Sequence, residues 1–460
     1  MTNRTVGEIA RVCDGTLYNC SENQITSIFV NNDKCIVDNC CYVAIKGDKY
    51  DGADYAENAV KSGAAVVLSE RRLVDTMPCI VVKSIDTALL DIAEHFRKKE
   101  LVKVVAVTGS VGKTTVKELC ACVLSTEGSV LKTDGNKNNL LGLPLTVLSN
   151  EGCRTAVLEA GISEVGEMEK LSRVSRPDVA VITNVGVMHA ETLKNREITA
   201  REKLKIISAN PKSCILVAPY GEPLLLSNDA YATVTVGINE DNADYSASGI
   251  SFDKRGTFFD VSKRGKKEYR GVFVPILGLH GVLDALFAIA VGEILGVCKD
   301  KIKKGISEYK APALRQNIIE KNGITVMCDC YNCGPSSLRA SLDAFTLLVN
   351  QMARQKRILV LGSMLELGDI SESEHIAVGK YLSSLAFDTL ITFGNEAKNI
   401  ALGALIGGME DVRCYGENER KELQSALREL CKSPCTVLIK GSRRLRMEEL
   451  LPSVLGEDVQ

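Results

Sequence analysis

The run Val107-Thr108-Gly109-Ser110-Val111-Gly112-Lys113-Thr114-Thr115 has the residue types and spacing to grip phosphate. Glycines let the backbone turn tightly and aim its N–H groups at phosphate oxygens. A helix that starts there adds the partial positive charge of its N-terminus. In such a loop Gly109, Ser110, Gly112 and Thr115 surround the phosphates. Lys113 reaches the terminal phosphates, and the Thr114 hydroxyl is placed to hold Mg2+. The strict pattern has another glycine where Val107 stands, so this is the shorter Gly-x-x-Gly-Lys-Thr-Thr form. A chance glycine-rich turn would not also bring a buried strand before it and a helix after it in register.

Such a loop implies a nucleotide but not a reaction. Phosphoryl chemistry also needs acidic groups for a metal. Glu159 ends the strand-like run Thr155 to Leu158 and precedes Ala160-Gly161. A carboxylate there faces the crevice beside the phosphate loop and can hold Mg2+ between the β and γ phosphates. On position alone, a surface glutamate at a strand end reads equally well. The segment Thr183-Asn184-Val185-Gly186-Val187-Met188-His189 follows another strand. His189, one of four histidines, suits a metal ligand, against the commoner structural role of a lone histidine. Lys203 lies in a helical stretch, Thr199 to Ile207, and spacing alone makes it a solvated lysine. Cys328-x-Cys330-x-x-Cys333 contains a C-x-x-C, but a structural zinc needs four ligands and no second pair follows. With 17 cysteines in the chain, such spacings arise by chance.

These residues need a scaffold. At 460 residues the chain exceeds one compact core and suits roughly two to four domains. Residues 1–100 carry short strand-like runs (Ile25 to Val30, Cys41 to Ile45, Ala65 to Leu68, Cys79 to Val82) and a helix over Thr87 to Lys99. Residues 101–312 open with the apolar, β-branched run Val102 to Val107. Strands and helices then alternate, as in a doubly wound parallel sheet. From Tyr245 to Val274 the pattern is polar and β-like, and a helix over Gly281 to Leu295 closes the stretch. Residues 313–460 hold strands at Ile324 to Cys328, Arg357 to Leu361, Thr389 to Phe393 and Thr436 to Ile439. That is the content of one Rossmann-like domain. The expected fold is therefore α/β with three domains.

Net charge is −2, so no global field would hold the chain on nucleic acid or an anionic membrane. Trp is absent and aromatics make up 5%, which argues against a base-stacking surface. No apolar stretch reaches membrane-spanning length, and the N-terminus does not read as a signal peptide. A cytoplasmic protein with reduced, mostly buried thiols is expected.

Four segments come in the order and approximate spacing of the Mur ligase family, which they resemble. They are Gly109 to Glu118, Gly135 to Leu145 (GNKNNLLGLPL), Glu159-Ala160-Gly161, and Thr183-Asn184 with His189. Further motifs are Arg315, Asp329-Cys330-Tyr331-Asn332 with Pro335, Leu365-Glu366-Leu367-Gly368 with His375, and Lys440-Gly441-Ser442-Arg443 with Arg446-Met447-Glu448. They narrow the likeness to members that add D-alanyl-D-alanine to UDP-N-acetylmuramoyl-tripeptide. Lys46-Gly47, Asp51-Gly52 and Gly63 to Val67 extend it toward the N-terminus.

The resemblance implies an N-terminal UDP-sugar domain and a central P-loop-type ATPase sheet. It also implies a C-terminal Rossmann-like domain that completes the ATP site and takes the dipeptide. It implies amide ligation through an acyl phosphate, with ATP and two Mg2+ ions, by a monomer. By position, Lys113 would act on the transferring phosphoryl group. Thr114 and Glu159 would hold one Mg2+ and His189 a second. Asn184 would sit near the nucleotide, and Arg315 and Asp329 would close over ATP. Lys203 aligns with the lysine that family members carry as a carbamate.

Some family positions differ. His280-Gly281 and Asp284 stand where the family has His-Asn and a further Asn. Cys328 precedes Asp329 where two Asp residues are frequent. Ser363 follows Gly362 where Asp is common, and Asn31-Asn32-Asp33-Lys34 replaces Thr-Asp-Ser-Arg. They leave open a Mur-like or folylpolyglutamate-synthase-like ligase with another carboxylate and amine, or a nucleotide-binding regulatory paralogue.

Overall fold

The computed structural model describes residues 4–186, 195–226 and 231–456. The run Lys103–Thr108 is buried at every position after Lys103, so it needs covered faces and a neighbour on each side. It pairs in parallel with Thr155–Glu159 on one side and Val179–Ile182 on the other. These strands lie within a nine-stranded sheet. Val130–Lys132 forms one edge beside Thr155–Glu159. Beyond Val179–Ile182 come Ile215–Pro219, Ala232–Ile238 and Tyr245–Asp253, all parallel. Gly256–Lys263 and Lys266–Val274 then add antiparallel strands, which accounts for the polar β-like stretch.

Register decides where the chemistry sits. Glu159 lies opposite Val107, and Ile182 lies opposite Thr108. The phosphate loop, Glu159 and Thr183-Asn184 therefore leave the sheet together at its carboxyl edge, where open α/β sheets take their ligands. Helix Lys113–Ser125 follows the loop and buries Val116, Leu119, Cys120 and Val123. The same core contains Leu286, Ile289 and Ala290 of helix Leu279–Ile294.

The N-terminal region has a five-stranded sheet in the order Thr16–Tyr18, Cys79–Val81, Val66–Ser69, Cys41–Val43, Phe29–Val30. The strand expected over Ile25 to Val30 is split. Ile25–Thr26 pairs with Arg4–Thr5, whereas Phe29–Val30 pairs with Cys41–Val43. Between them the Asn39 carbonyl accepts from the Ser27 N–H and the Thr26 hydroxyl, so the chain changes partner there. Helix Ile85–Glu100 is capped by Ser84, whose hydroxyl accepts the Thr87 N–H. Its Leu89, Ile92 and Phe96 share one core with Val104, Ala106 and Ala156 of the central sheet. Arg4 fastens the same junction, with its Nε and Nη2 on the Glu100 carboxylate at 2.8 and 2.7 Å.

The C-terminal region is a six-stranded sheet in the order Asn317–Lys321, Ile324–Asp329, Cys435–Lys440, Lys356–Gly362, Thr389–Phe393, Val412–Tyr415. The first strand is antiparallel and the others run parallel. Asp329 and Lys440 are register partners at the carboxyl ends of adjacent strands.

Candidate active site

The phosphate loop is built by close approach. A Cβ on Gly109 would stand 1.9 Å from Thr183 Oγ1, and Gly109 has φ +148°. Only glycine fits there. Asn184 braces the loop. Its Oδ1 accepts the Ser110 and Val111 N–H groups at 3.1 and 2.9 Å, and its Nδ2 donates to Val111 O at 2.8 Å. Asn184 thus supports the loop's shape. Ser110 Oγ adds a donor bond to Gly186 O at 3.0 Å. Lys113 Nζ donates to Gly109 O at 2.9 Å and Ser110 O at 3.3 Å. Burial pulls the Lys113 ammonium below its ordinary pKa, and Glu159 works against that shift.

Around this loop lies a cavity of about 560 Å³, whose lining includes Gly109 to Thr115, Glu159, Asn184, Lys203, Arg315 and Asp329. The sequence expectations thus converge on one space, except for His189, which lies outside the described residues.

Glu159 is 2% exposed. Its Oε1 accepts from Asn138 Nδ2 at 2.8 Å, and its backbone N–H donates to Thr133 Oγ1 at 2.9 Å. Its Oε2 is buried without a hydrogen-bond partner among the described residues. A buried carboxylate oxygen left unpaired is costly unless something cationic meets it. An Mg2+ ion takes oxygen donors of this kind, so the residues present fit that ion.

Lys203 does not sit on a solvated helix face. It is 5% exposed, on helix Arg196–Leu204, and lines the cavity. Burial and then the nearby Lys113 charge hold its pKa well below the ordinary lysine value. The helical period alone did not reveal this, because the residues around Lys203 are mostly charged.

The far wall comes from the C-terminal sheet. Arg315 Nη2 donates to Thr114 Oγ1 at 3.0 Å, and its guanidinium lies 4.3 Å from the centre of the Tyr331 ring. Asp329 Oδ2 meets Lys440 Nζ at 2.7 Å and accepts from Ser341 Oγ at 2.5 Å. Burial alone would raise the Asp329 pKa, but Lys440 and Ser341 outweigh it and the net shift is downward. Asp329 is therefore an anion held by a lysine. Lys440 and Asn138 stand in motifs visible in the sequence, yet nothing in their spacing assigned them partners.

Asp284 faces the loop from helix Leu279–Ile294. A Cβ on Gly112 would lie 3.0 Å from Asp284 Oδ1. Burial raises the Asp284 pKa well above the usual carboxylate value, with Arg315 as the opposing charge. Cys328 and Cys330 are buried with their sulfurs 3.5 Å apart. No cluster of three His, Cys, Asp or Glu side chains able to hold a metal occurs among the described residues.

The Mur ligase middle domain matches residues 107–292, and the Mur ligase glutamate ligase domain matches residues 314–443. The chain is 36% identical to the UDP-N-acetylmuramoyl-tripeptide–D-alanyl-D-alanine ligase of Bacillus subtilis, over 99% of both chains. It is similar to a crystal structure of MurF from Acinetobacter baumannii, with TM-score 0.85 and 25% identity over 99% of this chain and 100% of that one. MurF ligase from Thermotoga maritima in complex with ADP matches with TM-score 0.80 and 28% identity, over 93% and 97% of the two chains. With this identity over almost the whole chain and the same arrangement of sheets, the chain belongs to the Mur ligase family.

Proposed function

We propose that this chain adds D-alanyl-D-alanine to UDP-N-acetylmuramoyl-tripeptide, with conversion of ATP to ADP and phosphate, as a monomer in the cytoplasm. The observation that carries this reading is the cavity itself. Lys113, Glu159 and Lys203 of the central region line it together with Arg315 and Asp329 of the C-terminal region.

The chemistry follows from what a carboxylate lacks. It is a poor electrophile, so an oxygen of the tripeptide's terminal carboxylate attacks the γ-phosphorus of ATP and ADP departs. The dipeptide amine then attacks the acyl carbon, loses a proton, and inorganic phosphate leaves as the amide forms. The protein's task is positioning and charge neutralisation. Lys113 is placed to leave its loop carbonyls for the phosphoryl oxygens, and Arg315 to leave Thr114 for them.

Thr114 Oγ1 and Glu159 Oε2 are the groups that would hold a Mg2+ ion. Bound there, the ion would neutralise charge on the β and γ phosphates. A second ion at His189 rests on the family resemblance. Lys203 fits a carbamate for a physical reason. Capture of CO2 needs a neutral amine, and a desolvated lysine beside another cation gives up its proton readily.

The test is phosphate release from ATP and Mg2+ in the presence of the UDP-tripeptide, with lysine or diaminopimelate at its third position. It is run with and without D-alanyl-D-alanine, and mass spectrometry follows the product. Release that requires both substrates and yields a pentapeptide is expected. ATP binding without pentapeptide from either tripeptide would sink the substrate assignment.

A further inference from the structure

Lys117 is buried one helical turn beyond Lys113, and nothing in the reaction above uses it. It is 1% exposed. Its Nζ donates to Thr133 O at 2.7 Å and pairs with Glu118 Oε1 at 2.7 Å. The other Glu118 oxygen meets Lys132 Nζ at 2.6 Å. Thr133 follows the edge strand Val130–Lys132 and is fully buried. Its hydroxyl accepts the backbone N–H of Glu159.

From these contacts we infer that Lys117 is a positioning residue, which holds the Glu159 carboxylate in register with the phosphate loop through Thr133. The carbonyl of Thr133 takes the lysine and its hydroxyl takes Glu159, so one residue joins the phosphate helix to the metal carboxylate. Asn138 fixes Glu159 Oε1 from the other side. Oε2 is thereby aimed with both the backbone and the side chain of Glu159 held. An ammonium is an expensive way to fill this space. Burying it costs solvation that its partners must repay. A charge kept under those terms fixes geometry more than it adds stability.

The inference rests on Glu159 being the metal carboxylate, and the test separates the two. ADP binding is measured by calorimetry with Mg2+ and with EDTA, for the wild type and for Lys117→Met, Lys117→Arg, Thr133→Val and Glu159→Gln. The wild type gains affinity on adding Mg2+, and Glu159→Gln loses that gain. Lys117→Met and Thr133→Val should each lose roughly tenfold of it, the usual scale for a residue that orients a metal ligand. Their ADP affinity in EDTA should stay at the wild-type value, and Lys117→Arg should keep part of the gain. If Lys117→Met does not fold, Thr133→Val carries the test. An undiminished Mg2+ gain in Lys117→Met and Thr133→Val, with the gain lost in Glu159→Gln, would overturn the inference. So would loss of ADP binding in EDTA, which would place the effect on the phosphate loop. A full gain in Glu159→Gln would instead refute the metal assignment and the inference with it.

Discussion

Arg315 Nη2 donates to Thr114 Oγ1 across 3.0 Å, joining residues 201 positions apart in the chain. Thr114 lies in the first turn of the phosphate helix, and Arg315 stands just before the first strand of the C-terminal sheet. The hydroxyl that Arg315 touches is the one a Mg2+ ion would take as a ligand. A phosphate oxygen is a better partner for a guanidinium than a neutral hydroxyl is. Arg315 should therefore transfer from Thr114 to a phosphate oxygen when ATP enters.

Arg315→Ala should then lower kcat/KM for ATP by roughly 30- to 150-fold, the worth of a charge-assisted hydrogen bond of about 2–3 kcal/mol. Arg315→Lys should recover only part of this, because a point charge cannot replace the fork that also lies over Tyr331. Steady-state kinetics with ATP varied would read both. An unchanged ATP dependence in Arg315→Ala would show that the residue serves only the contact with Thr114.

The backbone that presents Arg315 is strained on both sides. Leu314 has φ +64° and Gln316 has φ +50°. A left-handed conformation costs a residue with a Cβ about 1–2 kcal/mol. Leu314 keeps it because its carbonyl accepts the Tyr331 N–H at 3.1 Å. Glycine has no such cost, so at this position Leu314→Gly should be more stable than Leu314→Ala by about 1 kcal/mol, the reverse of the usual order. Urea denaturation of the two variants decides it. Greater stability of the alanine variant would mean that the segment is not held left-handed in solution.

The parallel core strands were legible because burial on both faces leaves no polar position, as in Val104 to Val107. The phosphate loop was legible because its chemistry is local. Edge strands were not: Asn317–Lys321 and Val412–Tyr415 have no fully buried position and pair along one side only. Lys203 was legible only through the resemblance. Its burial comes from a cavity whose walls include the central phosphate loop and the distant Arg315 and Asp329, and no local period encodes that. The Lys440–Asp329 pair was hidden for the same reason, since parallel register between strands 111 positions apart brings it together.

Asp284 should give nucleotide binding a pH dependence. Its carboxyl is buried beside Gly112, and burial raises its pKa. Below the raised pKa it is neutral and can donate a hydrogen bond. Above it, an anion stands next to the phosphate site and repels nucleotide. ADP affinity of the wild type should therefore fall as pH rises through that value. Asp284→Asn should bind ADP more tightly on the alkaline side, by roughly tenfold for a penalty of about 1.4 kcal/mol. It should also flatten this component of the pH profile. Calorimetric titrations of both proteins over a pH series would show it. Parallel profiles for the two proteins would mean that Asp284 does not change charge near the nucleotide.

Lys203 makes the sharpest joint prediction for stability and chemistry. Its folded pKa is depressed by burial and by Lys113, while in the unfolded chain it keeps the ordinary lysine value. Between those two values the unfolded chain binds a proton that the folded chain lacks, so stability rises with pH across that window. Below the window both states are protonated, and the full cost of the buried cation remains. Lys203→Met removes the group, so the wild-type minus variant difference should slope upward with pH in CO2-free buffer. If Lys203 of the folded chain carries the proposed carbamate, bicarbonate should stabilise the wild type further and leave Lys203→Met unmoved. In ligation assays Lys203→Ala should lose turnover by roughly a hundredfold or more while ADP still binds. That is the pattern of a group needed for the reacting geometry and not for nucleotide affinity. Bicarbonate-independent stability together with near-normal turnover in Lys203→Ala would remove the carbamate from the mechanism.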